Sequence, residues 1–282
     1  MRFTFVSGFK GLTVAWSVTL AAYAAYAQEA TLPYETDFEA SEGVVTGVAS
    51  ELPEWEFLGD VSTSVSNDSG SGLQALELIS AGTAQLNVDG SMMPTIGWFD
   101  FLTKPVVVAE EGLPESIQPY QASVTGFVDL SGEGWIYVVD GDGLGGGEWV
   151  SVGSAFTLNG QVADSWMRLT YRLDYTNKLW DLYVDGKFVS TDLGFLDDTV
   201  DTLNHFRISS DPDDTTGLDF LYAGIDNPLY LDTSNDGLPD SWLIDQGLNT
   251  SENQRYSDTD FDGLSALDEF GLGTRADNAD TD

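Results

Sequence analysis

The chain has 282 residues, with 47 acidic side chains against 10 basic ones, one histidine, no cysteine and a formal net charge of −37. Such a charge repels nucleic acid and anionic membranes. The absence of cysteine excludes disulfides, thiolate nucleophiles and cysteine-ligated zinc.

The first 27 residues read as a secretory signal peptide. Arg2 and Lys10 supply a basic start, residues 11–27 carry no charge, and Ala25-Tyr26-Ala27 forms an A-x-A cleavage pattern before Gln28. The apolar run is shorter than the roughly 20 residues a spanning helix needs. The mature chain is therefore expected to be secreted, extracellular or at the cell surface, with no transmembrane segment. Without disulfides, calcium is the candidate staple.

Residues 32–231 alternate short β-rich runs with Gly, Asp, Asn and Ser, which predicts an all-β sandwich. Glu35, Asp37 and Glu39 open it in an E-x-D-x-E pattern that would share one strand face. Candidate strands follow at 75–79, 97–103, 121–129, 134–139 and 149–152. Asp140 and Asp142, in the glycine-rich 140–148 segment, suit either a hairpin connection or a metal loop. Trp98, Trp135, Trp149 and Trp180 are candidates for sugar stacking if exposed, and for the core otherwise.

Residues 166–191 give the clearest unit. Met167, Leu169, Tyr171 and Leu173 alternate with Trp166, Arg168, Thr170 and Arg172, so one face is apolar and the other polar. A turn at 174–177, a returning strand at 179–184, the hairpin signal Asp185-Gly186 and a third strand at 187–190 complete an antiparallel meander. His205 is expected on a strand face, since nothing around it suggests a Ser-His-Asp triad.

The run W-x-R-L-T-Y-x-L-D-Y-x-x-x-x-W-D-L-Y-V-D-G, the opening L-P-Y-E-T-D-F-E and the closing F-L-Y-A-G-I-D-N-P resemble the concanavalin A-like or laminin G-like jelly roll of secreted bacterial proteins. The resemblance implies an antiparallel jelly roll over 32–231, with residues 34–39 paired to 220–226, and a glycan or polysaccharide as ligand. The E-x-D-x-E pattern is similar to that of laminarinase-like glycoside hydrolases, which would imply polysaccharide cleavage. It stands in the first strand, however, whereas that family carries it mid-chain.

Past Leu231 the composition turns to Asp, Asn, Ser and Thr. Residues 258–269, D-T-D-F-D-G-L-S-A-L-D-E, complete a calcium-loop pattern. Asp258, Asp260 and Asp262 stand at positions 1, 3 and 5, the Leu264 carbonyl at 7 and Glu269 at 12, where a bidentate carboxylate closes the oxygen shell. Residues 232–243 repeat the pattern with Asp232, Ser234, Asp236, the Leu238 carbonyl and Asp240, but Leu243 takes position 12. Asp280 and Asp282 begin what reads as a third loop, which suggests a repeat array cut short.

Each loop is followed by a predicted short helix, one containing Trp242 and one ending at Gly271, and neither has an entry helix. The segment resembles thrombospondin type 3 or dockerin-type repeats, which implies a structural Ca2+ module rather than a sensor. A surface partner held through this module is a further expectation. Chelation is expected to expand residues 232–282, with little effect on the sandwich.

Overall fold

The computed structural model describes residues 28–42, 44, 52–65, 72–92, 95–105, 121–130, 133–154, 165–210 and 215–279. The signal-peptide reading and the third loop at Asp280 and Asp282 lie outside them. The architecture is all-β and antiparallel, sandwich-like, with two short helices near the C-terminal end.

The nine-stranded sheet is formed by β1 (Tyr34–Thr36), β2 (Trp55–Val65), β3 (Gln74–Asn87), β4 (Ile96–Lys104), β8 (Met167–Asp174), β9 (Leu179–Val184), β10 (Lys187–Gly194), β11 (His205–Ser209) and β12 (Thr215–Gly224). Its order is β10-β9-β8-β4-β12-β3-β11, with β1 on β12 and β2 on β3. The second sheet is β5 (Thr125–Leu130), β6 (Glu133–Gly141) and β7 (Gly147–Ser154).

The meander forms as its alternation dictates. Met167, Leu169, Tyr171 and Leu173 face the main core with Trp180, Leu182 and Val184. The β9–β10 turn holds Asp185 at φ 48° and Gly186 at φ 74°, the two positive angles a type I′ hairpin needs. The predicted terminal pairing also forms, with Tyr34 opposite Ala223 and Thr36 opposite Leu221.

Two expectations change. Strand β1 ends at Thr36, so Glu35, Asp37 and Glu39 do not share a strand face. Phe38 turns at φ 56°, and Glu39 accepts hydrogen bonds from the Leu73 and Gln74 amides, a loop-tethering role. The polar face of β8 is also not solvated. Thr170 and Arg172 on that face are as buried as the apolar face behind them, because residues 232–279 lie over it.

Trp98 and Trp180 are fully buried, whereas Trp135 and Trp149 are partly exposed. Asp142 Oδ1 accepts from the Leu144 and Gly146 amides, and Asp140 Oδ1 from the Gly194 amide. These carboxylates shape the hairpin connection. His205 sits exposed at the start of β11, where partial burial and then Arg207 lower its pKa.

Candidate metal centre

Two loops of one conformation follow β12. In each, positions 4 and 6 are left-handed: Asn235 at φ 57° and Gly237 at 88° in the first, Phe261 at 65° and Gly263 at 96° in the second. In each, the amide at position 9 donates to the carbonyl just before the loop, Asp240 to Leu231 at 2.9 Å and Ala266 to Ser257 at 2.8 Å. Short helices α1 (Asp240–Asp245) and α2 (Ala266–Leu272) then leave the loops. Helix α2 opens on a capping box between Ser265 and Asp268 and ends on Gly273 at φ 77°, two residues beyond the predicted stop at Gly271.

The second loop gathers its carboxylates. Asp258, Asp260 and Asp262 place carboxylate oxygens within 4.8 Å of one another, the one such trio among the described residues. The Asp262, Gly263 and Leu264 amides donate to Asp260, Asp258 and Asp262 respectively, which fixes one oxygen of each. Asp258 Oδ1, Asp260 Oδ2 and both Glu269 oxygens are buried with no hydrogen-bond partner.

Glu269 is 1% exposed. Burial, then the charges of Asp260, Asp262 and Asp258, push its pKa up to about 7. Four orphaned oxygens among like charges are costly in a low-dielectric pocket. They fit a hard cation that takes six to eight oxygen ligands. Leu264 holds position 7 as the sequence places it, and its carbonyl is the matching donor.

The first loop spends its carboxylates otherwise. Asp232 accepts from the Asp236 and Gly237 amides, and Asp236 from the Leu238 and Gln254 amides. Asp240 is clasped by the amide and hydroxyl of Thr233 at 3.0 and 2.6 Å. Burial holds the Asp232 pKa above its usual value. Ser234 Oγ is buried without a partner, and Leu238 and Leu243 join a small core with Ala266 and Leu267. Asp232, Asp236 and Asp240 thus keep the loop's shape, with their carboxylates held mainly by backbone amides, while Ser234 brings an unpartnered hydroxyl.

What the sequence did not reveal is how this segment attaches. Trp98, Arg172 and Asp181 stand in register across β4, β8 and β9 on the outer face of the large sheet. Arg172 donates from Nε and Nη2 to the Asn235 carbonyl at 3.1 and 2.9 Å, and Trp98 Nε1 to Asn235 Oδ1 at 2.9 Å. Tyr183 and Tyr230 both donate to the Gly237 carbonyl. A Cβ at Gly237 would meet Arg255 Nη1 and the Tyr183 hydroxyl at 3.1 Å, so a side chain here would push both neighbours back and strain the backbone at φ 88°.

Arg255, 2% exposed, completes the attachment. Its Nη2 lies 2.6 Å from Asp181 Oδ1 and 2.9 Å from Asp192 Oδ1, and Nη1 donates to the Asp236 carbonyl at 3.1 Å. Burial alone would lower its pKa, but the two carboxylates more than offset this. The one available signal was that Arg255 is one of two cations in an otherwise acidic 232–282 segment.

No protein-family model matches the chain, and no curated protein does. Solved structures overlap it in part. A structure of botulinum neurotoxin type C, described as entering cells through two ganglioside molecules, is 13% identical at a TM-score of 0.40 over 61% of this chain and 42% of its own. A carbohydrate esterase of the Shiga toxin-encoding bacteriophage phi24B is 12% identical at 0.39 over 65% of this chain and 98% of its own. The binding domain of botulinum neurotoxin serotype G is 11% identical at 0.39 over 69% and 48%. The chain thus spans less than half of the toxin structures it overlaps.

Proposed function

We propose that this is an exported, non-catalytic, calcium-binding β-sandwich protein that binds a polysaccharide or glycan, in recognition or adhesion. The observation that carries the calcium reading is the set of four buried, unpartnered carboxylate oxygens from Asp258, Asp260 and Glu269 beside Asp262. Glu269 would close the shell and Leu264 would add its carbonyl. The ion would supply the positive charge that lets this acidic loop pack. Calcium is favoured over magnesium because magnesium needs a tight octahedron with retained water, whereas this loop offers many oxygen donors.

The glycan reading is supported by the lectin-like sequence pattern and by partly exposed aromatics on a β-sheet. Cleavage is disfavoured by the placement of Glu35, Asp37 and Glu39, whose strand face does not form. Calorimetric titration of the chelator-stripped full chain with calcium chloride tests the site. Saturable binding that Glu269→Gln and Asp258→Asn each weaken by about tenfold or more is expected. A wild-type chain that takes up no calcium at millimolar ion would end this reading.

A further inference from the structure

The outer face of the large sheet over β4, β8 and β9 is covered by the C-terminal segment, so it offers no groove there. The outer face of the three-stranded sheet differs. Ile136 and Val138 of β6 point into the main core, so Trp135, Tyr137 and Val139 point the other way, Trp135 and Tyr137 partly exposed and Val139 covered at 1% exposure. The register sets Trp149 opposite Val139, and Ser151 and Gly126 on either side of Tyr137. Residues opposite one another share a face, so Trp135, Tyr137, Trp149 and Ser151 lie on one surface.

Trp135, Tyr137 and Trp149 are each partly exposed, and Ser151 is exposed. Successive outward residues on a strand stand roughly 7 Å apart and diagonal neighbours about 7 to 8 Å. Three rings at that spacing, interrupted by a hydroxyl and a glycine, make a banded surface rather than a continuous apolar patch. None of these positions is charged, in a chain of net charge −37. The chemistry that matches is a neutral sugar chain, with apolar ring faces for the aromatics and hydroxyl edges for Ser151 and Tyr137. An anionic polymer would meet the surrounding acidic surface.

We propose that the outer face of the β5-β6-β7 sheet is the saccharide platform of this protein, with a neutral polysaccharide stacked on Trp135, Tyr137 and Trp149. This rests on the glycan reading and assigns it a place. Affinity electrophoresis of the full chain in gels containing hydroxyethylcellulose, galactomannan or soluble starch, with alginate as anionic counter-probe, tests it. Wild type is expected to be retarded by at least one neutral polymer. Trp149→Ala and Tyr137→Ala are expected to bind about 5- to 10-fold more weakly, and Trp149→Phe to retain most binding.

Near-ultraviolet circular dichroism checks that each variant is folded, and Trp149→Gln or Tyr137→Ser, each expected to weaken binding as the alanine variants do, replaces any that is not. Retardation unchanged in all variants overturns this face and leaves glycan binding standing. Retardation by alginate alone overturns the neutral ligand. A wild-type chain retarded by none of the four overturns both the platform and the glycan reading. A platform that instead joins two copies would show as a dimer that Trp149→Ala dissociates, which also overturns the proposal.

Discussion

Arg255 and Glu269 are buried charges with opposite situations. Arg255 has its partners in place, Asp181 and Asp192 within 2.9 Å. Replacing it with alanine strands the Asp181 carboxylate, fully buried, beside Arg172 at 3.5 Å. A loss of about 3 to 5 kcal/mol of unfolding free energy is expected, read by urea denaturation. Arg255→Lys is expected to recover only part, because one ammonium cannot serve two carboxylates and the Asp236 carbonyl in the guanidinium's geometry.

Glu269 has no partner, and its metal-free pKa is raised to about 7 from 4.5. A carboxyl whose pKa is raised by folding holds its proton more tightly in the folded state. It therefore adds no penalty below about 4.5, and its full penalty applies above about 7. In a chelator, the melting temperature is expected to fall between pH 5 and pH 7.5, more steeply in wild type than in Glu269→Gln. Calcium should remove that difference between the two proteins.

At the scale of elements, the β8–β9–β10 meander was legible because period-two alternation and an Asp-Gly turn are local signals. Strand β2 and the second half of β3 were not among the expected strands, and β11 was anticipated only as the strand face that carries His205. Their runs, such as Trp55-Glu-Phe-Leu-Gly-Asp-Val, mix acids and glycine with apolar residues, and pairing across β3 organises them. The second loop was legible residue by residue, since metal-loop spacing is itself local. The burial of Thr170 and Arg172 was not, because the covering residues lie some 60 positions later in the chain. For helix α2, Ser265→Ala removes the capping box and is expected to cost about 1 kcal/mol, seen as a lower thermal midpoint.

For the whole molecule, the attachment couples what the sequence suggested would be separate. Trp98, Arg172, Tyr183 and Asp181 belong to the sandwich, yet their partners are Asn235, Gly237 and Arg255. Chelation is therefore predicted to reach the sandwich through these contacts rather than to spare it. A single cooperative transition is predicted by calorimetry, raised as a whole by calcium. At a free concentration a hundred times the dissociation constant the gain is about 2.7 kcal/mol. Two separate transitions, with only the minor one moved by calcium, would contradict this coupling.

The same attachment orders events during synthesis. Arg255 follows Asp181 by 74 residues. A growing chain therefore leaves Asp181 with Arg172 as its cation, 3.5 Å away, until Arg255 emerges. The attachment of residues 232–279 is thus completed only after every strand of the sheet has been made.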